Sequence, residues 1–296
     1  MLRGIFAPIP TPFSANGDID YQSMKANLEK WSETKLTGVV VLGSNGEFVY
    51  LSPQEKAELV RFVRENFPQD RPVIAGTGCE STRATVDMTA RAAEAGCDAA
   101  LVLTPHYFKG SMNPDVLKRF FFDVADESEI PVMLYNMPGN SGINMSSSLV
   151  AEISEHPNVA GIKDSGGNIV QISETIAKTA DDFSVFAGSG SFLLPALVMG
   201  AAGGTLAVAN IMADTCAGVM EAFKDGDMDR AVDLQRRLLA PNAAVTARFG
   251  IPGLKAAMDM LGYFGGQPRR PMLPVSDDVR AQLRAVLSDA GLDLTS

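Results

Sequence analysis

Four side chains in this sequence have the types that carbonyl chemistry requires: Lys163, Tyr135, Ser44 and Tyr107. Lys163 follows the apolar run Val159-Ala160-Gly161-Ile162, which is bounded by His156-Pro157-Asn158 before and Asp164-Ser165-Gly166-Gly167 after. Such a run reads as a buried strand, and an ammonium at its edge is costly to desolvate. Desolvation lowers a lysine pKa and frees the amine to attack a carbonyl. The alternative is a strand-end lysine whose flexible stem carries its charge out to water. An iminium between such an amine and a 2-oxo acid acts as an electron sink, so a carbon–carbon bond beta to it can be broken or made through an enamine. A proton shuttle is then needed close by. Tyr135, in Val132-Met133-Leu134-Tyr135, is the right kind of group, because a phenol both donates and accepts. It could equally be a core residue with its hydroxyl tied to the backbone. In Gly43-Ser44-Asn45-Gly46-Glu47 the flanking glycines let backbone N–H groups approach a small anion such as a carboxylate, and Ser44 could relay a proton. The same five residues would also make an ordinary strand-to-helix turn. Glu47 is expected to cap a helix or anchor the loop, without a catalytic part.

These residues must be held by something, and the chain has a rhythm that would do it. A short apolar strand followed by a segment of helical spacing repeats about eight times. Strands are expected at Gly4–Pro10, Gly38–Gly43, Pro72–Gly78, Ala99–Pro105, Pro131–Met137, Val159–Asp164, Ser184–Gly188 and Gly203–Val208. Helices are expected to start near Tyr21, Pro53, Ser81, Asn113, Ser146, Ile169, Ser191 and Met212. Strands that are apolar throughout indicate a parallel sheet covered by helices. Eight such units in about 225 residues fit a closed (β/α)8 barrel better than a doubly wound sheet. Three further helical segments follow, near 228–247, 251–263 and 276–291, so the expected organisation is a barrel over residues 1–225 and a helical extension over 226–296. In a barrel the strand C-termini converge on one mouth. That places Thr11, the 43–47 turn, Tyr107, Tyr135, Lys163, Gly188-Ser189-Gly190 and Asn210 around one cavity.

The whole-chain balance excludes several other roles. A net charge of −10, with no basic stripe, opposes a nucleic-acid backbone or an anionic membrane as partner. No run approaches the roughly 18 apolar residues of a membrane span, and the first residues lack a signal-peptide core, so a cytoplasmic protein is expected. Cys79, Cys97 and Cys216 are odd in number and widely spaced, which fits reduced thiols. The two histidines, His106 and His156, lie far apart with no spaced His/Glu set, so no metal is expected, and His156 is expected at the surface. Gly188-Ser189-Gly190 and Gly203-Gly204 would suit either a phosphate pocket or close packing, and there is no Walker or dinucleotide fingerprint.

Three motifs, Gly43-Ser44-Asn45-Gly46-Glu47, Tyr135-Asn136-Met137-Pro138 and Gly161-Ile162-Lys163-Asp164, resemble in order and spacing those of the pyruvate-dependent class I aldolases, the family of dihydrodipicolinate synthase and N-acetylneuraminate lyase. The likeness covers nearly the whole chain. It implies a (β/α)8 TIM barrel with a C-terminal helical extension, a homotetramer built as a dimer of dimers, and a 2-oxo acid held as a covalent lysine imine with no other cofactor. It further implies that Lys163 is the Schiff-base lysine, Tyr135 the proton shuttle, and Ser44 and Asn45 the holders of the pyruvate carboxylate. Gly188 and Leu206 complete the expected substrate-binding set. Tyr107, in Thr104-Pro105-His106-Tyr107, matches a tyrosine that members insert into a neighbouring subunit's site. The synthase branch carries an arginine after Tyr-Asn-x-Pro, where this chain has Pro138-Gly139-Asn140-Ser141-Gly142. The runs 43–48, 78–82, 163–167 and 241–254 resemble 4-hydroxy-2-oxoglutarate aldolases, which implies cleavage of that acid to pyruvate and glyoxylate. Dihydrodipicolinate synthesis, a 2-oxo-3-deoxy sugar acid aldolase or dehydratase, and a non-catalytic 2-oxo-acid-binding barrel are the alternatives.

Overall fold

The computed structural model describes residues 1–295. Eight parallel strands, β1 (Gly4–Pro8), β2 (Gly38–Val41), β3 (Val73–Gly76), β4 (Ala99–Leu103), β5 (Val132–Asn136), β6 (Val159–Asp164), β7 (Ser184–Ala187) and β8 (Gly203–Thr205), pair in chain order and close β8 onto β1. Helices α1 (Tyr21–Ser32), α2 (Pro53–Asn66), α3 (Thr82–Glu94), α4 (Pro114–Asp126), the single turn α5 (Pro138–Ser141), α6 (Ser147–Ser154), α7 (Ile169–Lys178), α8 (Leu193–Val198) and α9 (Ala213–Lys224) lie between and after them. Three more helices follow: α10 (Met228–Ala243), α11 (Gly250–Met260) and α12 (Asp277–Asp289). The boundary drawn at residue 225 falls in the turn between α9 and α10.

The strands are apolar throughout because both of their faces are covered. Side chains alternate along a strand. One set, including Phe6, Val40, Ile74, Leu101, Met133 and Phe186, fills the barrel, with Phe6 and Phe186 edge to face at 5.6 Å. The other set, including Val39, Val41, Val102, Leu134 and Ile162, packs under the helices. Helix starts are set by local chemistry. Ser52, Ser81, Asn113, Ser146, Asn168 and Ser276 each accept an amide N–H of the first turn, and Pro53 and Pro114 occupy the first helical position, where no amide donor is needed.

Several strands are shorter than expected. β1 stops at Pro8 rather than Pro10, and β2 stops at Val41 because Leu42 turns left-handed at φ 59°. β8 ends at Thr205, and residues 207–210 form a 3-10 turn instead of continuing to Val208. The helix expected near Ser191 begins as a 3-10 turn and becomes α8 at Leu193. The expected helix over 228–247 is interrupted: α10 gives way to a π-helical turn, Ala244–Arg248. Pro241 lies just before it and removes one amide donor from the ladder. His156, expected at the surface, is largely enclosed, its side chain 12% exposed and its Nε2 3.0 Å from Asp126. No helix among the described residues is long and apolar enough to cross a membrane.

Candidate active site

The site begins with the register of two neighbouring strands. Tyr135 on β5 lies opposite Lys163 on β6, and Asn136 lies opposite Asp164. Alternation sends the first pair into the barrel and the second pair outward. The outward pair locks the register. Asn136 Nδ2 donates to Asp164 Oδ2 at 2.8 Å and to Asn144 Oδ1 at 2.9 Å, while Gly166 N donates to Asp164 Oδ1 at 2.7 Å and Gln171 Nε2 to Oδ2 at 3.2 Å. The Asp164 carboxylate is therefore fully engaged away from the lysine.

The inward pair meets at the mouth. Lys163 is 4% exposed, and its Nζ lies 4.3 Å from the centroid of the Tyr135 ring. Among the described residues it has no carboxylate within 4.0 Å. The contrast is Lys255, also buried, whose Nζ is 2.6 Å from Glu47 Oε1. Buried charges are normally paired with an opposite charge, so a buried lysine facing a cavity beside a phenol, with no carboxylate partner among the described residues, is the exception that points to chemistry. The Tyr135 hydroxyl lies 3.4 Å from Ser44 Oγ. Burial pushes that phenol up. The Lys163 ammonium and the polar groups of Ser44, Lys163 and Ser165 outweigh it, so the phenol sits below its ordinary value of 10.0.

These side chains open onto a cavity of about 520 Å3, lined by Ser44, Asn45, Tyr135, Lys163, Gly188 and residues of the C-terminal helical region. The 43–47 turn forms its floor on one side. Residues 44–46 make a 3-10 turn, whose leading N–H groups have no partner within the turn itself. Thr11 Oγ1 donates to Gly46 O at 2.7 Å, and Asn45 Nδ2 donates to Pro8 O at 3.2 Å. The Asn45 side chain is thus committed to the barrel rim, which leaves its backbone for a ligand. Glu47 anchors this loop, as the sequence led us to expect, but from full burial and in a left-handed conformation at φ 56°. Burial pushes the Glu47 carboxyl up and the Lys255 amine down, since both lose water that the other only partly replaces.

Gly188 directly follows β7, tight against the end of β6. Its N–H donates to Asp164 O at 2.7 Å, and a Cβ there would lie 2.0 Å from Ser165 Oγ and 2.6 Å from Asp164 O. Leu206 is placed differently from expectation. Its side chain is fully buried in the outer core, and Ala207, the next residue, lines the cavity. Tyr107 is not gathered into the cavity of its own chain. It is 78% exposed, edge to face with Phe108 at 5.0 Å, and its N–H donates to Glu80 Oε2 at 2.9 Å.

Ser189, expected at the cavity, lines it, whereas sequence reasoning missed Ser165 and Asn140, and Thr246 and Ile251 from the helical extension. Ser165 and Asn140 lie within or beside the motifs already noticed. Thr246 sits on the π-helical turn, and Ile251 on the first turn of α11. Periodicity alone gave no sign that these helices complete the cavity. No group of three or more His, Cys, Asp or Glu side chains among the described residues is arranged to hold a metal ion.

A parallel eight-stranded barrel whose mouth holds a buried lysine, with no carboxylate partner among the described residues, beside a phenol lowered from its ordinary value has the architecture of a barrel enzyme. The particular family follows from comparison with known proteins. Residues 1–290 match the model of the dihydrodipicolinate synthetase family, and the chain belongs to that family. A 4-hydroxy-tetrahydrodipicolinate synthase of Methanothrix thermoacetophila is 38% identical over 296 residues, covering 100% of this chain and 99% of the relative. A probable mitochondrial 4-hydroxy-2-oxoglutarate aldolase of Emericella nidulans is 33% identical, covering 98% and 95%. Among solved structures, a dihydrodipicolinate synthase of Bacillus anthracis superposes with a TM-score of 0.93 at 32% identity, covering 97% of each chain. The E. coli prophage protein YagE, of the dihydrodipicolinic acid synthase family and solved with pyruvate, gives 0.93 at 28% identity, covering 99% of this chain and 100% of its own. The protein is accordingly an enzyme of the pyruvate-dependent, class I aldolase type.

Proposed function

We propose that the protein is a lyase working through an imine between Lys163 and C2 of pyruvate or of a 2-oxo acid that yields pyruvate. The observation carrying this reading is the buried Lys163, 4.3 Å from the Tyr135 ring and without a carboxylate partner among the described residues. The ammonium passes one proton to the Tyr135 oxygen, the freed amine attacks C2, and return of that proton to the C2 oxygen lets water leave, so that a protonated imine remains. In cleavage of a 4-hydroxy-2-oxo acid, the Tyr135 oxygen takes the C4 hydroxyl proton, the C3–C4 bond breaks, and its electron pair enters the imine as an enamine while the aldehyde departs. Protonation at C3 and addition of water return pyruvate and the free lysine. Condensation runs the same steps in reverse. Ser44 relays protons to Tyr135, and the Ser44 and Asn45 backbone N–H groups hold the carboxylate. Gly188 keeps the opposite wall open.

The partner aldehyde has two readings. The names carried by the Methanothrix, Methanoculleus and Archaeoglobus relatives favour 4-hydroxy-tetrahydrodipicolinate synthesis, in which pyruvate condenses with aspartate semialdehyde. The name of the Emericella relative favours cleavage of 4-hydroxy-2-oxoglutarate to pyruvate and glyoxylate. Asn140 stands at the cavity in the run where the synthase branch is expected to carry arginine, and Lys163 is the one cationic residue in that lining among the described residues. A 2-oxo-3-deoxy sugar acid is the third candidate. Side-by-side kcat/KM values for these substrates decide among them.

The exposed pair Tyr107 and Phe108 supports assembly into a homotetramer in which Tyr107 enters a neighbouring site. Free cysteines at 79, 97 and 216 suit a reducing compartment, which we take to be the cytoplasm, although the Emericella relative is named mitochondrial. The direct test is borohydride reduction in the presence of pyruvate. One covalent adduct per chain is expected at Lys163 and none in Lys163→Ala, and wild-type turnover by Lys163→Ala would overturn the mechanism.

A further inference from the structure

The ion pair between Glu47 and Lys255 lies outside the reacting groups, yet it is built into the loop that faces them. Both side chains are 0% exposed, and their charged atoms are 2.6 Å apart. Glu47 immediately follows the 3-10 turn of Ser44–Gly46 and adopts a left-handed backbone, a conformation that residues other than glycine rarely take. Such a conformation persists only where the surroundings impose it. Here they do so from three directions. Lys255 Nζ also donates to Thr11 O at 2.8 Å and to Gln267 O at 3.0 Å, and it lies 4.5 Å from the Phe13 ring centroid. Arg269 N donates to Glu47 Oε2 at 2.8 Å. Thr11 in turn holds Gly46 O through its hydroxyl. One ammonium therefore gathers the loop after β1, the loop after β2 and the segment after α11.

Lys255 belongs to α11, whose first residues, Gly250 and Ile251, line the cavity. The pair thus connects the turn carrying the Ser44 hydroxyl and the Ser44 and Asn45 amides to the helix that closes the opposite side. A buried ion pair is a weak contributor to stability and can often be replaced by apolar side chains. A purely structural need would not require one here. It does fix a direction and a distance, because both partners are constrained by further hydrogen bonds.

We propose that Glu47 and Lys255 are positioning residues for the 2-oxo acid. Their ion pair sets the conformation of the 44–47 turn, and thereby the carboxylate-binding amides, and couples that turn to α11. This rests on the reading that Lys163 forms an imine with pyruvate. Neither residue lines the cavity that Lys163 faces.

The test uses the full-length protein with Lys255→Met, Glu47→Gln and the double variant. Circular dichroism and thermal melts establish which of them fold. Borohydride trapping at Lys163 is measured against pyruvate concentration, and KM and kcat are measured for both substrates. The expected result is a rise of about tenfold or more in the half-saturating pyruvate concentration for Lys255→Met. Labelling at saturation and the aldehyde KM should stay within about threefold of wild type. Glu47→Gln retains an acceptor for Arg269 N and should show a smaller rise, with the double variant close to the Lys255→Met value. If Lys255→Met does not fold, the Glu47→Gln protein carries the same readout. Folded variants with lowered melting temperature and unchanged half-saturation would overturn the positioning role and leave a structural one. Wild-type protein that pyruvate and borohydride fail to label would instead overturn the imine reading, and this proposal with it.

Discussion

Replacing Tyr135 with phenylalanine separates proton transfer from everything else the residue does. The ring stays, and with it the burial against Met133 and Phe186 and the ammonium contact at 4.3 Å. Only the hydroxyl goes. Its contact with Ser44 Oγ is 3.4 Å, longer than the usual 2.7–2.8 Å of an O–H···O bond, so the stability lost should be at most about 1 kcal/mol. If the phenol moves the proton on and off the C4 oxygen, turnover should fall by about 10²–10⁴, equivalent to about 2.7–5.5 kcal/mol in the barrier. The two magnitudes differ enough that unfolding cannot account for the loss. Lys163 should still be trapped by borohydride with pyruvate. The pH profile adds a second signature. Because the Tyr135 phenol lies below 10.0 and its oxygen acts as the base in cleavage, kcat/KM should rise with pH through a limb centred below pH 10, and that limb should change in Tyr135→Phe. Pyruvate release from the 2-oxo acid, followed with melting temperature and labelling, completes the assay. A Tyr135→Phe enzyme within about threefold of wild-type kcat would refute the shuttle.

Other expectations follow from single contacts. Gly188→Ala places a Cβ 2.6 Å from Asp164 O, a backbone atom that Gly188 N itself holds at 2.7 Å, so the strand ends must part. A loss of about 1–3 kcal/mol is expected, with weaker pyruvate trapping, and an unchanged melt would refute it. Arg269 beside Glu55 holds that carboxyl at about 2, against 4.5 when free. A depressed folded-state value means that the contribution is complete above pH 4.5 and disappears as pH falls towards about 2. The melting temperature of Glu55→Gln should therefore fall less steeply than that of wild type across this window, and parallel curves would contradict the assignment.

Much of the fold could be read in advance because its causes are local. Continuous apolar runs reveal strands covered on both faces, and Ser, Asn and Pro at helix starts show where each helix begins. Where expectation and structure part, the cause is a constraint from elsewhere. Leu42 turns left-handed at the barrel rim, and β8 curls into a 3-10 turn beneath α11 and the π-helical turn. Leu206 sits one residue from a cavity-lining position, and a slip of one residue along an extended segment exchanges the two faces.

By itself the sequence determined the barrel and the candidate pair Lys163 and Tyr135, since strand periodicity and the position of a charge at a strand end are properties of neighbouring residues. Only the tertiary structure decided that Lys163 lacks a carboxylate partner among the described residues while Lys255 has one. It also decided that Glu47 is buried and left-handed, that Asn45 spends its side chain on Pro8, and that Thr246 and Ile251 close the cavity. Those outcomes depend on which distant segments, 244 residues apart in the chain for Lys255 and Thr11, the closed barrel brings within hydrogen-bond reach. Solvent exclusion then fixes which charges must be paired, and that balance exists only once the chain has folded.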